Sequence, residues 1–257
     1  MTNNRSTVRV NRNLLIAAPI ETVFSFFQDS ARFAAWWGAG SRIEPRAGGV
    51  FHVVNPGGAI AGGIIEAIVA PTRIVTTWGY ANNSSIPLGS TRLEITLEAT
   101  PAGTLVRLEH SGIPATGDMS EQAQGWRYQL AQFSRAVTQL AHGQAAQRLD
   151  TWFAAWNTTD TKVRQDLLAE CCESDVAFRD AFSATVGAED LVPHLAGFHK
   201  HMPGLTISRQ GDPALCHNTA LVGWVAQGAD GKPMGAGRNF VEFSPSGKIA
   251  RVFGFWG

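Results

Sequence analysis

The stretch LEITLEATPAGTLVRLEH, residues 93–110, decides the fold of the first half of the chain. Its first six residues alternate strictly between apolar and polar side chains, which is the pattern of a strand with one buried and one wet face. Pro101, Ala102 and Gly103 are typical turn residues, and the alternation resumes less regularly up to His110. The stretch therefore predicts an antiparallel hairpin.

The residues before this hairpin extend the same architecture. Short apolar runs alternate with turn residues over residues 42–110, which predicts an antiparallel meander. Residues 8–16 predict a first strand. Pro19 is expected to begin a helix, because its missing backbone N–H costs nothing there. Ser30 is expected to cap a second short helix that ends after Trp37.

The residues after the meander predict one long helix, residues 119–140. Its apolar side chains recur at spacings of three and four; they are Trp126, Leu130, Phe133, Val137 and Leu140. A helix with such a wide apolar stripe is expected to lie across the concave face of the sheet that precedes it.

The amphipathic pattern restarts after Gly143, which predicts a boundary between a first domain, 1–142, and a second, 143–257. The chain of 257 residues is long enough for two domains that each bury a core. After two leading helices, the second half predicts a strand at 175–179, a helix at 188–200 and strands at 205–210, 214–226, 234–243 and 248–255. Both domains are therefore expected to be α+β, with a curved sheet packed against helices.

Composition and charge narrow the class of protein. The 21 basic and 21 acidic residues cancel, so no positive field attracts nucleic acid. Neither a membrane span nor an export signal is evident, so we expect a cytoplasmic protein without membrane contact. The three cysteines match no zinc spacing and are expected to be reduced thiols. No metal or other cofactor is expected.

A series of short motifs gives the first half a family resemblance. In order they are Ala18-Pro19, Val23-Phe24, Trp36-Trp37-Gly38, Arg46-Ala47-Gly48-Gly49-Val50-Phe51, Gly63-Ile64-Ile65-Glu66, Pro71-Thr72-Arg73-Ile74-Val75, Trp78, Gly103-Thr104-Leu105-Val106, His110-Ser111-Gly112 and Gly125-Trp126. Together they resemble the SRPBCC superfamily, nearest to bacterial relatives of the activator of heat-shock protein 90 ATPase. The resemblance implies a helix-grip fold, in which an antiparallel sheet grips a long C-terminal helix and a pocket lies between them.

The second half carries a resemblance of its own. Its motifs are Phe153, Trp156, Leu167-Leu168-Ala169-Glu170, Val176-Ala177-Phe178-Arg179-Asp180, Gly187-Ala188-Glu189-Asp190-Leu191, Gly237-Arg238-Asn239-Phe240-Val241-Glu242-Phe243 and Gly247-Lys248-Ile249-Ala250-Arg251-Val252-Phe253-Gly254-Phe255. They resemble the nuclear transport factor 2-like superfamily, nearest its SnoaL-like polyketide-cyclase branch. The resemblance implies a cone-shaped α+β barrel, often dimeric through its sheet.

Asp180 is the candidate catalytic residue. The resemblance implies that its side chain faces the interior of the cone, where a carboxylate in an apolar pocket has a raised pKa and can accept and donate protons. The alternative is that Asp180 only stabilises a turn. Asn239 stands where relatives often carry Asp, and an amide takes up no proton at neutral pH, so we expect it to bind ligand by hydrogen bonds. Arg238 either binds an acidic ligand or lies on the outer face.

The other candidate ligand-binding residues combine aromatic walls with a few polar groups, as small-molecule pockets do. In the first half they are Trp37, His52, Glu66, Trp78, His110, Trp126 and Tyr128. In the second half they are Phe178, His194, Phe198 and Trp224. The alternative for Trp78 and Trp126 is a packed core. The histidines of the second half complete no metal-ligand set, so we expect surface or cap positions for most of them.

These observations lead to one expected function and one alternative. The first is binding of a small hydrophobic or aromatic molecule in one or both pockets, with weak isomerase-, cyclase- or hydrolase-like acid–base catalysis in the second domain. The alternative is a protein-interaction module related to the ATPase activators, with the second domain used for dimerisation. A roomy cavity favours ligand binding, whereas a filled pocket beside an apolar surface patch favours interaction. A homodimer is expected.

Overall fold

The computed structural model describes residues 7–115 and 119–257. The chain divides into two compact units, the first ending at Leu140 and the second beginning at Ala141. Each unit combines helices with one sheet, which confirms the predicted α+β class. Among the described helices, none combines the length and the hydropathy that a membrane span requires.

The first unit is built around a seven-stranded antiparallel sheet with the order β1-β7-β6-β5-β4-β3-β2. Its elements are β1 Thr7–Ile16, α1 Ile20–Ser25, α2 Ser30–Trp37, β2 Arg42–Ile43, β3 Val50–Val54, β4 Ile60–Val69, β5 Arg73–Trp78, β6 Thr91–Thr100, β7 Gly103–Pro114 and α3 Met119–Ala141. Strands β6 and β7 form the hairpin that the sequence predicts, with Leu93 opposite His110 and Thr100 opposite Gly103.

The cap of helix α2 differs from the prediction. Ser30 is the first residue of the helix, and the preceding Asp29, in extended backbone conformation, accepts a hydrogen bond from the backbone N–H of Arg32 at 2.8 Å. The Ser30 hydroxyl instead bonds the backbone of Ile43. Assigning the cap to Ser30 was therefore wrong, because either residue can cap and the side-chain geometry decides between them.

Helix α3 lies against the sheet as predicted. Trp126 of the helix contacts Trp78 of β5 and His110 of β7, with ring centroids 5.2 and 5.7 Å apart. Phe133, about two helical turns further along the same face, packs edge-on against Phe27, with ring centroids 5.4 Å apart. The predicted stripe ends one turn early, because its last residue, Leu140, is exposed.

The second unit contains a six-stranded sheet with the order β10-β11-β12-β13-β8-β9, in which only β13 and β8 pair in parallel among the described pairs. Its elements are α4 Ala145–Asn157, α5 Thr161–Cys171, β8 Cys172–Arg179, β9 Ala184–Val186, α6 Ala188–His201, β10 Thr206–Cys216, β11 Thr219–Gln227, β12 Pro233–Phe243 and β13 Ile249–Trp256. The helices pack on one face of the sheet, where the apolar core of the unit lies.

The predicted single strand 214–226 is wrong. The chain reverses at His217 and Asn218, so that residues before the turn end β10 and residues after it form β11. His217 adopts a left-handed backbone with φ of 53°, and the Asn218 amide donates to the backbone carbonyl of Phe243 at 3.0 Å. A turn made by His and Asn lacks the glycine or proline that usually marks a hairpin in a sequence.

Candidate functional site

The first candidate site is a cavity of about 570 Å³ in the first unit. Its apolar wall consists of Trp37 at the end of α2, Trp78 at the end of β5, and Trp126 on α3. The remaining lining residues are Asn55, Pro56, Ala59, Ile60, Tyr80, Asn82, Asn83, Gln122, Gly125, Tyr128 and Gln129. Carboxamide side chains and two tyrosines therefore surround an aromatic wall, and the described lining carries no charged group.

The three tryptophans of the wall pack directly on one another. The ring of Trp37 stacks on that of Trp78 at 5.5 Å, and Trp126 meets Trp37 edge-on at 6.0 Å. Gly38 makes this arrangement possible, because a Cβ at its φ of 139° would lie 2.5 Å from the backbone oxygen of Val54. The wall is thus both packed core and cavity lining, the two readings that the sequence left open for Trp78 and Trp126.

Three of the carboxamide side chains around the wall are held in place by a hydrogen bond, and each keeps its other polar atom available. Asn55 donates to the carbonyl of Ala59 at 3.1 Å, and Gln129 donates to the carbonyl of Trp36 at 2.6 Å, so their amide oxygens remain available. Gln122 accepts from the Tyr80 hydroxyl at 3.1 Å, which leaves its amide N–H groups available. The site offers both donors and acceptors without charge.

His110 lies behind the aromatic wall and is fully buried. Its Nδ1 accepts a hydrogen bond from the Trp126 indole N–H at 3.1 Å, and its Nε2 lies 2.8 Å from the Thr91 hydroxyl. Thr91 donates its own proton to the carbonyl of Trp78 at 2.9 Å, so Nε2 carries the imidazole proton. Burial lowers the pKa of His110 to about 4. A neutral histidine therefore fixes Trp126 from behind rather than contacting a ligand.

Two predicted site residues lie outside this cavity. His52 on β3 and Glu66 on β4 alternate with the buried Phe51 and Ile65, so they belong to the opposite face of the sheet. Glu66 accepts a hydrogen bond from Arg92 at 3.1 Å on that face. Burial, followed by the nearby Arg42 guanidinium, lowers the pKa of His52.

The second unit has a much smaller cavity at the predicted cone site, with a volume of about 30 Å³. That is far below the roughly 300–1,000 Å³ of typical small-molecule sites. Its lining residues are Phe153, Trp156, Phe178, Asp180, Ile207, Trp224, Asn239, Gly254 and Trp256. Aromatic side chains of the unit fill most of the space that a ligand would need.

Asp180 and Asn239 meet at this small cavity, on either side of Gly254. A Cβ on Gly254 would lie 3.3 Å from the Cβ of Asp180 and 3.5 Å from the amide oxygen of Asn239. Asp180 accepts a hydrogen bond from the backbone N–H of Phe182 at 2.8 Å, which is the turn role considered above. Asn239 is only 6% exposed and lines this cavity.

Most of the other predicted residues of the second unit pack among its aromatic side chains, and one lies on the outer face of the sheet. Phe178 packs on the ring of His194 at 5.4 Å, and Phe198 packs on Trp156 at 5.5 Å. Burial lowers the pKa of His194, and the Asp180 carboxylate opposes this shift. Arg238 alternates with the inward-facing Asn239 and lies on the outer face.

Sequence reasoning missed the carboxamides of the first cavity and the dense packing of the second. Asn55, Asn82 and Asn83 lie between strands, where no periodicity marks a side chain as pocket-facing. Gln122 stands one turn before Trp126 on α3, so its spacing is the one available signal. Among the residues that the structure describes, no three His, Cys, Asp or Glu side chains converge as metal ligands.

Comparisons with known proteins give matches to parts of the chain. The family model described as "Activator of Hsp90 ATPase homolog 1-like protein" matches residues 17–138. The AHSA1-like protein of Rhizobium etli is 30% identical; the match covers 51% of this chain and 82% of that one, with a TM-score of 0.43. A SnoaL-like family protein of Agrobacterium tumefaciens is 22% identical over 46% of this chain and 98% of its own, with a TM-score of 0.42. The search among curated proteins gives no match.

Proposed function

The chain belongs, through residues 17–138, to the Activator of Hsp90 ATPase homolog 1-like family, and we propose that this unit binds a small, uncharged aromatic molecule. The single observation that carries the proposal is the cavity of about 570 Å³ walled by three tryptophans. This volume falls within the range of small-molecule sites, which spans about 300–1,000 Å³.

The chemistry of the cavity supports an uncharged ligand with polar substituents. The wall of Trp37, Trp78 and Trp126 offers apolar, aromatic contact to a planar molecule. The carboxamides around it offer donors and acceptors to hydroxyl or carbonyl groups. A charged ligand would lose its hydration without gaining an opposite charge from the described lining, and that loss is costly.

The second unit supports a different role, that of joining two copies of the chain. Its inner cavity is nearly filled, whereas the outer face of its sheet carries a row of apolar side chains, Leu221 beside Phe240 beside Phe253. Phe255 extends this outer apolar row toward the end of β13 and is 59% exposed. Exposed apolar patches of this kind mark interaction sites. We propose that this face forms a homodimer interface and that Asp180 serves the turn it bonds.

A titration with two fluorescent probes tests ligand binding. N-phenyl-1-naphthylamine is an uncharged aromatic probe, and anilinonaphthalene sulfonate is its negatively charged counterpart. We expect saturable binding of the uncharged probe at one site per chain and at least tenfold weaker binding of the sulfonate, a difference of about 1.4 kcal/mol. Equal affinity for the two probes would contradict the proposed selectivity.

A pair of matched glycine variants locates the probe. Gly125 lines the cavity on α3, and Gly197 lies on α6 of the second unit; a Cβ on either residue enters open space. Gly125→Leu should fill part of the cavity and abolish binding, whereas Gly197→Leu should leave it unchanged. The proposal fails if Gly125→Leu folds and still binds the probe with unchanged affinity.

A further inference from the structure

Two adjacent cysteines in the second unit hold their thiols side by side. Cys171 ends helix α5 and Cys172 begins strand β8, and both side chains are buried. Their sulfur atoms lie 3.5 Å apart, so both thiols point to the same side of the chain. The third cysteine, Cys216, is exposed and belongs to a different part of the sheet.

Cys172 lines a third cavity of about 600 Å³, also in the second unit. The cavity lies between α5 and α6, where Leu168 and Val192 contribute apolar surface. Glu173 and Lys248 add charged groups to the lining. A reagent that enters this cavity therefore comes up against Cys172, whose sulfur lies 3.5 Å from that of Cys171.

The local geometry disfavours a disulfide and favours a single atom that binds both sulfurs. Neighbouring Cα atoms lie about 3.8 Å apart, which is shorter than disulfide geometry accepts without strain. The hydrogen bond to Cys171, together with burial, also raises the pKa of the Cys172 thiol, so the thiol stays protonated at neutral pH. An inserted atom that binds both sulfurs would relieve the geometric conflict.

We infer that Cys171 and Cys172 form a dithiol site for a trivalent arsenical, with the third arsenic substituent directed into the adjoining cavity. Arsenic(III) is soft and pyramidal, so it holds two sulfurs close together, as they are here. Zinc requires three or four converging donors, and the described residues supply no such group. Linear two-coordinate ions such as mercury(II) hold their sulfurs on opposite sides, which this geometry does not offer.

The binding step balances without an oxidant or reductant. The hydrated form of an arsenical carries two hydroxyl groups that are exchanged for the sulfurs of Cys171 and Cys172. Two As–S bonds form and two As–O bonds break, while each thiol proton leaves with a hydroxide as water. Arsenic remains trivalent throughout, and the raised pKa of the thiol is no obstacle because the proton departs in the same exchange.

Phenylarsine oxide, which hydrates to such a dihydroxide, provides the test on the intact reduced chain. We expect mass spectrometry to find one phenylarsenic group per chain that survives excess glutathione and is removed by ethanedithiol. Trypsin cleavage after Arg164 and Arg179 should place the group on the peptide of residues 165–179, which contains both cysteines. No retained adduct, or an adduct on the Cys216 peptide, would overturn the inference.

Matched variants separate two-point binding from capture by a single thiol. Loss of either buried thiol, in Cys171→Ala or Cys172→Ala, should weaken retention by roughly 10²–10⁴-fold, because the second As–S contact is intramolecular. Cys216→Ala should retain the adduct unchanged. Glutathione-resistant binding in a Cys172→Ala variant would contradict the inference, and the peptide position in the unaltered chain decides the matter if a variant fails to fold.

Discussion

A neutral histidine supports the tryptophan wall of the cavity in the first unit. His110 accepts from the Trp126 indole and donates to the Thr91 hydroxyl, an arrangement that only the uncharged imidazole can make. The sequence placed His110 on an alternating strand, and hence near the pocket. The sequence could not predict that the imidazole lies behind Trp126 rather than in the cavity, because its position depends on packing between elements distant in the chain.

This histidine should make the first unit sensitive to acid. Its pKa is about 4 in the folded chain and near 6.5 when unfolded, so the unfolded state binds more protons between these values. Stability is therefore complete above pH 6.5 and should fall by about 3 kcal/mol as the pH drops to 4. Urea unfolding at pH 7 and pH 4 measures the loss.

His110→Gln is the matched control for this prediction, because glutamine can accept from Trp126 and donate to Thr91 without titrating. The variant should lose about 3 kcal/mol less than the unaltered chain between the two pH values. An equal loss in both proteins would assign the acid sensitivity to other groups.

The buried position of Asn239 leads to a second prediction at this scale. Residue 239 is buried beside a small, mostly aromatic cavity, so Asn239→Leu should raise the free energy of unfolding by about 1 kcal/mol through added apolar burial. Chemical denaturation measures the change, with Asn218→Leu as a contrasting variant that removes a formed hydrogen bond and should destabilise. Destabilisation by Asn239→Leu would contradict this expectation.

Alternating strands and striped helices were the elements that the sequence predicted best. The hairpin of β6 and β7 and the long helix α3 follow from periodicity alone, because one face of each is buried in the first unit. The reversal at His217 and the short strand β9 were missed. The left-handed backbone of His217 and the three-residue strand β9 leave no pattern in the sequence, because both depend on contacts with residues distant in the chain.

The outer face of the second sheet provides a prediction for whole elements. If its apolar row joins two chains, Leu221→Glu should convert a dimer to a monomer, because a carboxylate buried without a partner is costly. Leu15→Glu is the matched control on the first unit, where an equally exposed leucine lies outside the proposed interface. Light scattering measures the mass, and a dimer that persists with Leu221→Glu would sink this assignment.

At the scale of the whole molecule, the first unit contains an open cavity of about 570 Å³, and the sheet of the second unit has an apolar outer face. Composition and motif order predicted two α+β domains, because each domain has enough chain for a core of its own. They could not predict which pocket is open. The first cavity of about 570 Å³ and the second of about 30 Å³ differ through the side-chain packing of aromatic residues that both halves contain.

This division predicts unequal thermal responses. A ligand that binds only the folded first unit stabilises that unit by RT ln(1 + [L]/Kd), about 2.7 kcal/mol at a hundredfold excess over Kd. In calorimetry, N-phenyl-1-naphthylamine should therefore raise the temperature of the unfolding transition that His110→Gln alters. The temperature of the other unfolding transition should stay unchanged. Equal shifts of both transitions would contradict binding confined to the first unit.

The most direct test of the ligand site is the set of indole N–H resonances of the tryptophans. On addition of N-phenyl-1-naphthylamine, we expect shifts at Trp37, Trp78 and Trp126, which wall the first cavity. The resonances of Trp152 and Trp224, in the second unit, should stay in place. Shifts confined to the second unit, or no shift at a saturating probe concentration, would contradict the assignment of the first cavity as the binding site.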